Sequence, residues 1–207
     1  MNAEVHTSVG VATAAGLSLA IPVMRADSIP TLAICTGCAM LGSILPDIDA
    51  NGDSVAKKQF KKIMSFITLI LVTAILYYWK LGELSKLVDT ILTPNRGWFM
   101  VLFLVLCLLG YNTSHRMFTH WLIGLLSFSI AFTLMVGSIQ YGLWFGSAFL
   151  SHQLIDCLNK KRIYWLYPLK IDFARYICYA SSKTSSIIGC IAGLLAVLIY
   201  SYLFINL

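Results

Sequence analysis

The sequence WLIGLLSFSIAFTLMVGSIQYGLWFGSAFLS occupies residues 121–151 and contains no charged side chain. A helix of roughly 17 to 25 apolar residues crosses a bilayer core about 30 Å thick, so this run is too long for one crossing. Gly137, Ser138, Gln140 and Gly142 interrupt it with residues typical of turns. The sequence therefore predicts two membrane-spanning helices joined by a tight reversal.

The composition of the whole chain is that of a polytopic membrane protein. Of its 207 residues, 58% are hydrophobic and 12% are charged, whereas soluble domains carry about 25% charged residues. This excludes a disordered chain and a coiled coil. The net charge of +6 does not indicate a nucleic-acid partner, because membrane proteins collect Lys and Arg at one membrane face. We expect one domain over residues 1–207, with the lipid bilayer as its partner and no indication of an oligomeric state.

Five further apolar runs bring the prediction to an all-α bundle of seven spans. These runs are residues 5–24, 29–46, 63–79, 98–112 and 184–207, the last being a C-terminal transmembrane helix. With seven spans, the N-terminus and the connections after spans two, four and six share one face, which holds eleven of the fifteen Lys and Arg residues. That face is predicted to be cytoplasmic, in a multi-pass inner-membrane protein. Residues 1–6 include no Lys or Arg, so no signal peptide is expected.

The cysteines do not indicate a disulfide framework. Cys35 and Cys38 have the spacing of a redox or zinc motif, but they lie within predicted span two, where a thiolate is poorly solvated. We expect both to be small packing residues of a membrane helix.

Histidines and aspartates that are distant in sequence fall near the same predicted face. Because an even number of crossings separates their segments, the side chains are expected to converge around a metal ion. Imidazole and carboxylate groups suit zinc, and ionisable groups within a membrane span are functional candidates. The predicted ligands are His6, Asp47, Asp49, His115, His120, His152 and Asp156.

His152 and Asp156 have the most informative local spacing. Residues four apart on a helix share a face, so the pair can bind one ion, or Asp156 can orient the imidazole. His115 and His120 are five apart, about 140° around a regular helix, and cannot both face one ion there. We therefore expect His115 in the connection and His120 in the first turn of span five, with Thr113 or Ser114 as a cap.

Asp47 and Asp49 follow Pro46, which ends predicted span two. They would lie on opposite sides of a helix but on one side of an extended segment, where they could bridge two metals or bind one and supply a base. The run also resembles the start of a calcium-binding loop, but its twelfth position is Lys58 rather than Glu. Arg116 can bind phosphate oxygens, or it can be an interfacial charge that sets topology.

Taken in order, these motifs resemble one family. An early His6, Leu-Pro-Asp-x-Asp at 45–49, His-Arg-x-x-Thr-His at 115–120, His-x-x-x-Asp at 152–156 and Trp-x-x-Pro at 165–168 are similar to the YdjM-like, LexA-regulated inner-membrane metal-dependent hydrolases. The resemblance covers residues 1–170. That family is in turn similar to the zinc-dependent phospholipases C, which implies hydrolysis of a phosphodiester or ester.

Two positions depart from the family pattern. Members usually carry Gly after His-Arg and Ser after Thr-His, where this chain has Met117 and Trp121. If the glycine adopts a left-handed backbone conformation, Met117 is expected to be strained there.

The expected activity is hydrolysis by water activated at one or two zinc ions. Asp49 is predicted to be a bridging ligand or general base, and Arg116 to stabilise the developing negative charge. A phospholipid or another anionic amphiphile is the expected substrate. The alternatives are a metal-ion transporter, which should place its ligands near the bilayer midplane, and a non-catalytic metal-binding or scaffold protein.

Overall fold

The computed structural model describes residues 3–49, 58, 96–114, 116–159, 162–169, 171–175 and 182–207. Within these ranges the chain is helical and has no strand. The six α-helices of the described residues are α1 (Ala3–Ala20), α2 (Ile29–Ile44), α3 (Arg96–Asn112), α4 (Leu122–Val136), α5 (Ile139–Asp156) and α6 (Lys183–Ile205). Three short 3₁₀ turns are Pro22–Met24, Leu45–Asp49 and Phe118–His120. The predicted span at 63–79 lies outside the described residues.

Turn and cap residues set the helix ends. Ser28 caps α2 by accepting a hydrogen bond from the Thr31 N–H, and α2 ends just before Pro46. At the end of α4, Gly137 adopts a left-handed conformation with φ 68°, and Ser138 then caps α5. The reversal predicted within residues 121–151 is therefore confirmed at Gly137 and Ser138, where the glycine supplies the positive φ of the turn. Gln140 and Gly142, which were expected to belong to the reversal, lie within α5.

The described helices run in both directions through the bundle, and this brings several of their ends together. α1 and α4 begin at the end of the bundle that contains His6, which we call the His6 end, and α2 and α5 end there. α3 packs against the Leu45–Asp49 turn, so it also ends there. Gly189 of α6 lies beside Val5 and Gly16 of α1 lies beside Ile199, so α6 runs parallel to α1.

α5 is the centre of the bundle, where it packs against α1, α2 and α4. Its aromatic side chains Trp144, Phe145 and Phe149 are fully buried, and Phe128 of α4 completes this core. The Trp144 indole N–H donates to the backbone oxygen of Met24 at 2.8 Å, which satisfies a buried donor and holds the α1–α2 connection onto α5. The five described cysteines, among them Cys35 and Cys38, are free thiols.

Gly42 permits the close approach of α2 and α5. A Cβ atom there would overlap the backbone oxygen of Phe145, whereas a Cβ at Gly37 of the same helix would meet nothing within 4 Å. We expect Gly42→Ala to lower the free energy of unfolding by about 1 to 3 kcal/mol, since α2 must move away from α5. Gly37→Ala is the matched control and should be neutral or stabilising by up to about 1 kcal/mol. Denaturant titration of both variants in detergent tests this; equal effects would show that the contact is unimportant.

Two of the described helical segments are long and apolar enough to cross a membrane. They are Ile29–Asp49 and Lys183–Ile205. α3 and α4 contain shorter apolar stretches, Gly97–Asn112 and Leu122–Val136. α6 packs mainly on α1 and exposes most of its apolar side chains, including Leu194 and Val197. An exposed apolar face of this kind is suited to contact with lipid.

Candidate metal centre

Imidazoles and carboxylates from four segments meet at the His6 end of the bundle. α1 carries one of them, the turn after α2 carries two, the turn before α4 carries one and α5 carries two. In that order they are His6, Asp47, Asp49, His120, His152 and Asp156. All six are buried except Asp47, whose side chain is 20% exposed. His115 lies outside the described residues.

Asp156 lies between two of the imidazoles. Its Oδ1 atom is 3.3 Å from His6 Nε2, and its Oδ2 atom is 3.4 Å from His120 Nε2. The guanidinium of Arg116 approaches the same Oδ2 atom at 3.2 Å. Each carboxylate oxygen therefore faces a different imidazole nitrogen, as expected for a carboxylate at the centre of a ligand cluster.

His152 is held by its Nδ1 atom, which leaves Nε2 for a ligand. Nδ1 lies 2.7 Å from the backbone oxygen of Ser43, and because a carbonyl only accepts, the ring is protonated at Nδ1. In the neutral ring the lone pair is then on Nε2, which lies 3.6 Å from Asp47 Oδ1. The ring is stacked on His6 with centroids 3.7 Å apart. A carbonyl that fixes the tautomer in this way is typical of histidines that ligate metals.

His120 is oriented by Asp49 on its far side. Asp49 Oδ2 lies 3.4 Å from His120 Nδ1 and accepts hydrogen bonds from the Thr119 hydroxyl and the Arg116 backbone N–H. The Thr119 hydroxyl is also 3.0 Å from His120 Nδ1. This arrangement directs His120 Nε2 at Asp156, and Asp49 itself stands behind the imidazole, outside the ring of closest ligand atoms.

The two carboxylates decide the charge of His120 when no metal is bound. Burial alone would lower its pKa, but hydrogen bonds from the ring to Asp156 and Asp49 and the charges of these carboxylates raise the pKa to about 9. The imidazole is then a cation at neutral pH. Because a metal ligand must be deprotonated, metal binding at His120 Nε2 releases a proton.

The donor set fits a divalent metal ion. Two groups, His6 with Asp47 and His152, and His120 with His152 and Asp156, each bring their ligand atoms within 4.8 Å of one another. Ligands at about 2.0–2.1 Å from a tetrahedral ion stand about 3.3–3.4 Å apart, close to the 3.3–3.6 Å between the imidazole and carboxylate atoms here. Among the described residues, the buried His6 Nδ1 and His152 Nε2 atoms have no hydrogen-bond partner. An ion would satisfy atoms that are otherwise costly to bury.

Two local expectations for the connection before α4 were wrong. The left-handed residue is Arg116, with φ 68°, while Met117 has φ −93°, so the strain predicted at Met117 falls one position earlier. His120 is not in the first turn of α4 but in the 3₁₀ turn before it, and Trp121 occupies the N-cap without a side-chain hydrogen bond. The cap expected from Thr113 or Ser114 is therefore not formed.

Gln153 is a site residue that sequence reasoning missed. Its side-chain Nε2 donates to the backbone oxygens of Thr119 at 3.0 Å and Trp121 at 3.3 Å, on either side of His120. Gln153 thus ties the turn that carries one candidate ligand to the helix that carries two others. No spacing rule identifies such a contact, because its partners are backbone atoms of a segment distant in sequence.

We expect Gln153→Met to lower zinc affinity about 10- to 100-fold, as is typical when a group that orients a ligand is removed. Gln140→Met is the matched control, since Gln140 lies on the same helix and donates to the backbone oxygen of Arg25 at the opposite end. Zinc competition with a calibrated chelator measures both affinities. An equal loss in both variants would indicate a general effect on α5 and not a role in positioning His120.

The comparisons with known proteins agree with the resemblance in the motifs. A family model described as YdjM inner membrane protein matches residues 1–207, the whole chain. No curated protein and no solved structure matches the chain. The motifs from His6 to Pro168 therefore occur within a match that covers all of the described helices. The chain belongs to the YdjM inner membrane protein family.

Proposed function

We propose that this protein is a membrane-embedded, metal-dependent hydrolase. The observation that carries the proposal is the meeting of three imidazoles and Asp156 within one buried cluster, beside the guanidinium of Arg116. Side chains of this kind at these separations suit zinc, and a divalent ion held there would supply the Lewis acidity that makes water a nucleophile near neutral pH. The similarity to zinc-dependent phospholipases C stays a prediction.

We assign a different role to each of the surrounding groups. Asp47 is the least buried carboxylate of the cluster and faces His152, so it is placed to accept the proton of an attacking water. Asp49 orients His120, in place of the base or bridging role expected from sequence. Arg116 contacts Asp156 and is 9% exposed, so it can stabilise negative charge that develops on a phosphoryl or acyl oxygen at the site.

The shared ligand favours one ion bound through His152. Both groups of potential ligands include His152, and its Nδ1 atom is occupied by Ser43, so one nitrogen lone pair remains. One lone pair binds one ion. A second ion would have to be held by the other side chains of the cluster without His152.

We also propose a seven-span topology with the metal centre at the cytoplasmic face. Its support is the direction of the described helices, because α2 and α3 both end at the His6 end and leave the predicted crossing at 63–79 between them. The excess of Lys and Arg at the same predicted face favours the cytoplasmic side. The candidate ligands lie at helix ends and not at helix midpoints, which favours an enzyme over a transporter that binds its ion in the middle of the membrane.

The test is hydrolysis by the purified protein in nanodiscs. We expect zinc-loaded protein to cleave a phospholipid or a chromogenic phosphodiester, and to lose this activity when zinc is removed with a chelator and recover it when zinc is restored. His152→Ala is the control for a contaminating hydrolase and should be inactive. Zinc-dependent uptake into proteoliposomes without hydrolysis would favour the transporter instead, and metal-free, inactive protein would favour a scaffold.

A further inference from the structure

A structured loop follows the metal centre and has no role in the chemistry proposed above. We call residues 162–169 and 171–175 the Trp165 loop. The Phe173 N–H donates to the Ile163 oxygen at 2.9 Å, and the Asp172 carboxylate accepts from the N–H groups of Ile163 and Ala174. Ile163 is fully buried, and the Trp165 and Phe173 rings stack with centroids 5.6 Å apart. The loop is thus a closed, internally hydrogen-bonded unit.

The Trp165 loop is attached beside two candidate metal ligands. The Leu122 N–H donates to the Trp165 oxygen at 2.9 Å, and the Trp121 and Tyr167 rings stack with centroids 4.1 Å apart. Trp121 and Leu122 immediately follow His120 in the sequence. At its other end, the Arg175 N–H donates to the oxygen of Cys157, the residue after Asp156. The depth of this loop relative to a membrane therefore sets the depth of the metal centre.

The outer face of the loop is apolar. Leu166, Tyr167, Leu169 and Ile171 are between 39% and 59% exposed, although they follow one another closely on a single loop. A cluster of exposed apolar side chains on one rigid loop needs a partner, because water is a poor solvent for it. Trp and Tyr beside such a cluster are typical of the membrane–water interface.

The charges around this face indicate which partner it has. Residues 160–175 of the sequence contain five Lys and Arg against one Asp, and the structure describes three of these charged residues, Arg162, Asp172 and Arg175. Arg162 Nε lies 3.9 Å from Asp172 Oδ2. Arg162, which is 72% exposed, and Arg175, also exposed, flank the apolar tip. Apolar side chains flanked by basic ones match the order of an anionic leaflet, in which acyl chains lie beneath a layer of phosphates.

We propose that the Trp165 loop is a membrane-interface anchor that lies among the headgroups of an anionic leaflet. Leu169 and Ile171 contact acyl chains, and Arg162 and Arg175 contact lipid phosphates. The attachments beside His120 and Asp156 then hold the metal centre at headgroup depth, where a lipid can reach it without leaving the bilayer. The anchoring role does not depend on catalysis or on a bound metal, so it goes beyond the function proposed above.

Photocrosslinking tests the anchor directly in the full-length chain. Leu169 is replaced by p-benzoylphenylalanine, and the protein is placed in nanodiscs of equal parts phosphatidylglycerol and phosphatidylcholine. Leu194, which is 63% exposed on α6, receives the same replacement as a lipid-facing reference. Both positions are exposed, so neither replacement should disturb folding. After illumination, mass spectrometry of the modified peptides identifies what each position contacts.

We expect lipid adducts at both positions, with a several-fold enrichment of phosphatidylglycerol at Leu169 relative to Leu194. The double change Arg162→Glu and Arg175→Glu should remove the enrichment but leave lipid adducts at Leu169. Adducts to a second protein chain at Leu169, or none there while Leu194 reacts, would overturn the anchor. Lipid adducts at Leu169 without enrichment of phosphatidylglycerol would overturn the proposal that the loop prefers an anionic leaflet. None of these outcomes requires hydrolysis, so failure of the enzyme proposal would leave the result interpretable.

Discussion

His152→Ala is expected to lower zinc affinity more than about 100-fold, because removal of even an outer group that orients a ligand costs 10- to 100-fold. The substitution removes the one side chain that belongs to both groups of potential ligands. It also removes the ring that stacks on His6 and faces Asp47. Metal analysis after dialysis against a calibrated zinc buffer measures the effect, and hydrolysis should disappear in parallel.

Ser151→Ala is the matched control for this result. Ser151 precedes His152, is buried, and donates its hydroxyl hydrogen bond to the Ala148 oxygen within the same helix. Because its hydroxyl is bonded within its own helix, the variant should bind zinc like the parent protein. Zinc retained by His152→Ala at the parent's affinity would exclude His152 as a ligand.

Among the proposed variants, we expect Asp156→Asn to lower the free energy of unfolding of the metal-free protein the most. The carboxylate contacts Arg116, His6 and His120 in a buried environment. Neutralising it leaves the guanidinium of Arg116 without this charge partner, and breaking a buried ion pair in this way costs about 3–5 kcal/mol. Denaturant titration of chelator-treated protein in detergent measures the loss, and zinc binding should fall as well.

A second substitution separates the two consequences of Asp156→Asn. Adding Arg116→Met also removes the guanidinium that faced the lost carboxylate, so the double variant should recover much of the lost free energy of unfolding. Zinc binding should not recover, because the carboxylate is still missing. A double variant that is no more stable than Asp156→Asn alone would show that Arg116 and Asp156 are not energetically coupled.

The helices could be predicted from the sequence because lipid imposes simple requirements on a chain. An uncharged run too long for one crossing requires a turn, and Gly137 and Ser138 supply the residues that make one. The convergence of His6, His120 and His152 follows from the same requirement, because α1 and α4 begin at the His6 end and α5 ends there.

The different positions of the two aspartates could not be predicted, because they depend on a local choice of backbone. Asp47 and Asp49 would share one side of an extended segment, but the chain forms a 3₁₀ turn at Leu45–Asp49. A 3₁₀ turn has three residues per turn, so side chains two apart point in different directions. Asp47 accordingly faces His152, whereas Asp49 faces His120 from behind.

The hydrogen bonds that orient the candidate ligands could not be predicted either, for a different reason. Ser43 and Gln153 act on the site through hydrogen bonds that involve backbone oxygens, and a backbone oxygen occurs at every residue. The positive φ of Arg116 is equally invisible in the sequence, since non-glycine residues adopt it only where neighbouring contacts hold them. In this turn the Arg116 backbone N–H is bonded to Asp49.

X-ray absorption at the zinc edge is the most direct test that imidazoles and carboxylates of the His6 end bind the metal. We expect one zinc per chain with only nitrogen and oxygen neighbours, at about 2.0–2.2 Å. The free thiols of Cys35 and Cys38 are the other potential ligands with metal-site spacing. Sulfur neighbours at about 2.3 Å, or purified protein that binds no zinc, would exclude a metal centre built from these imidazoles and carboxylates.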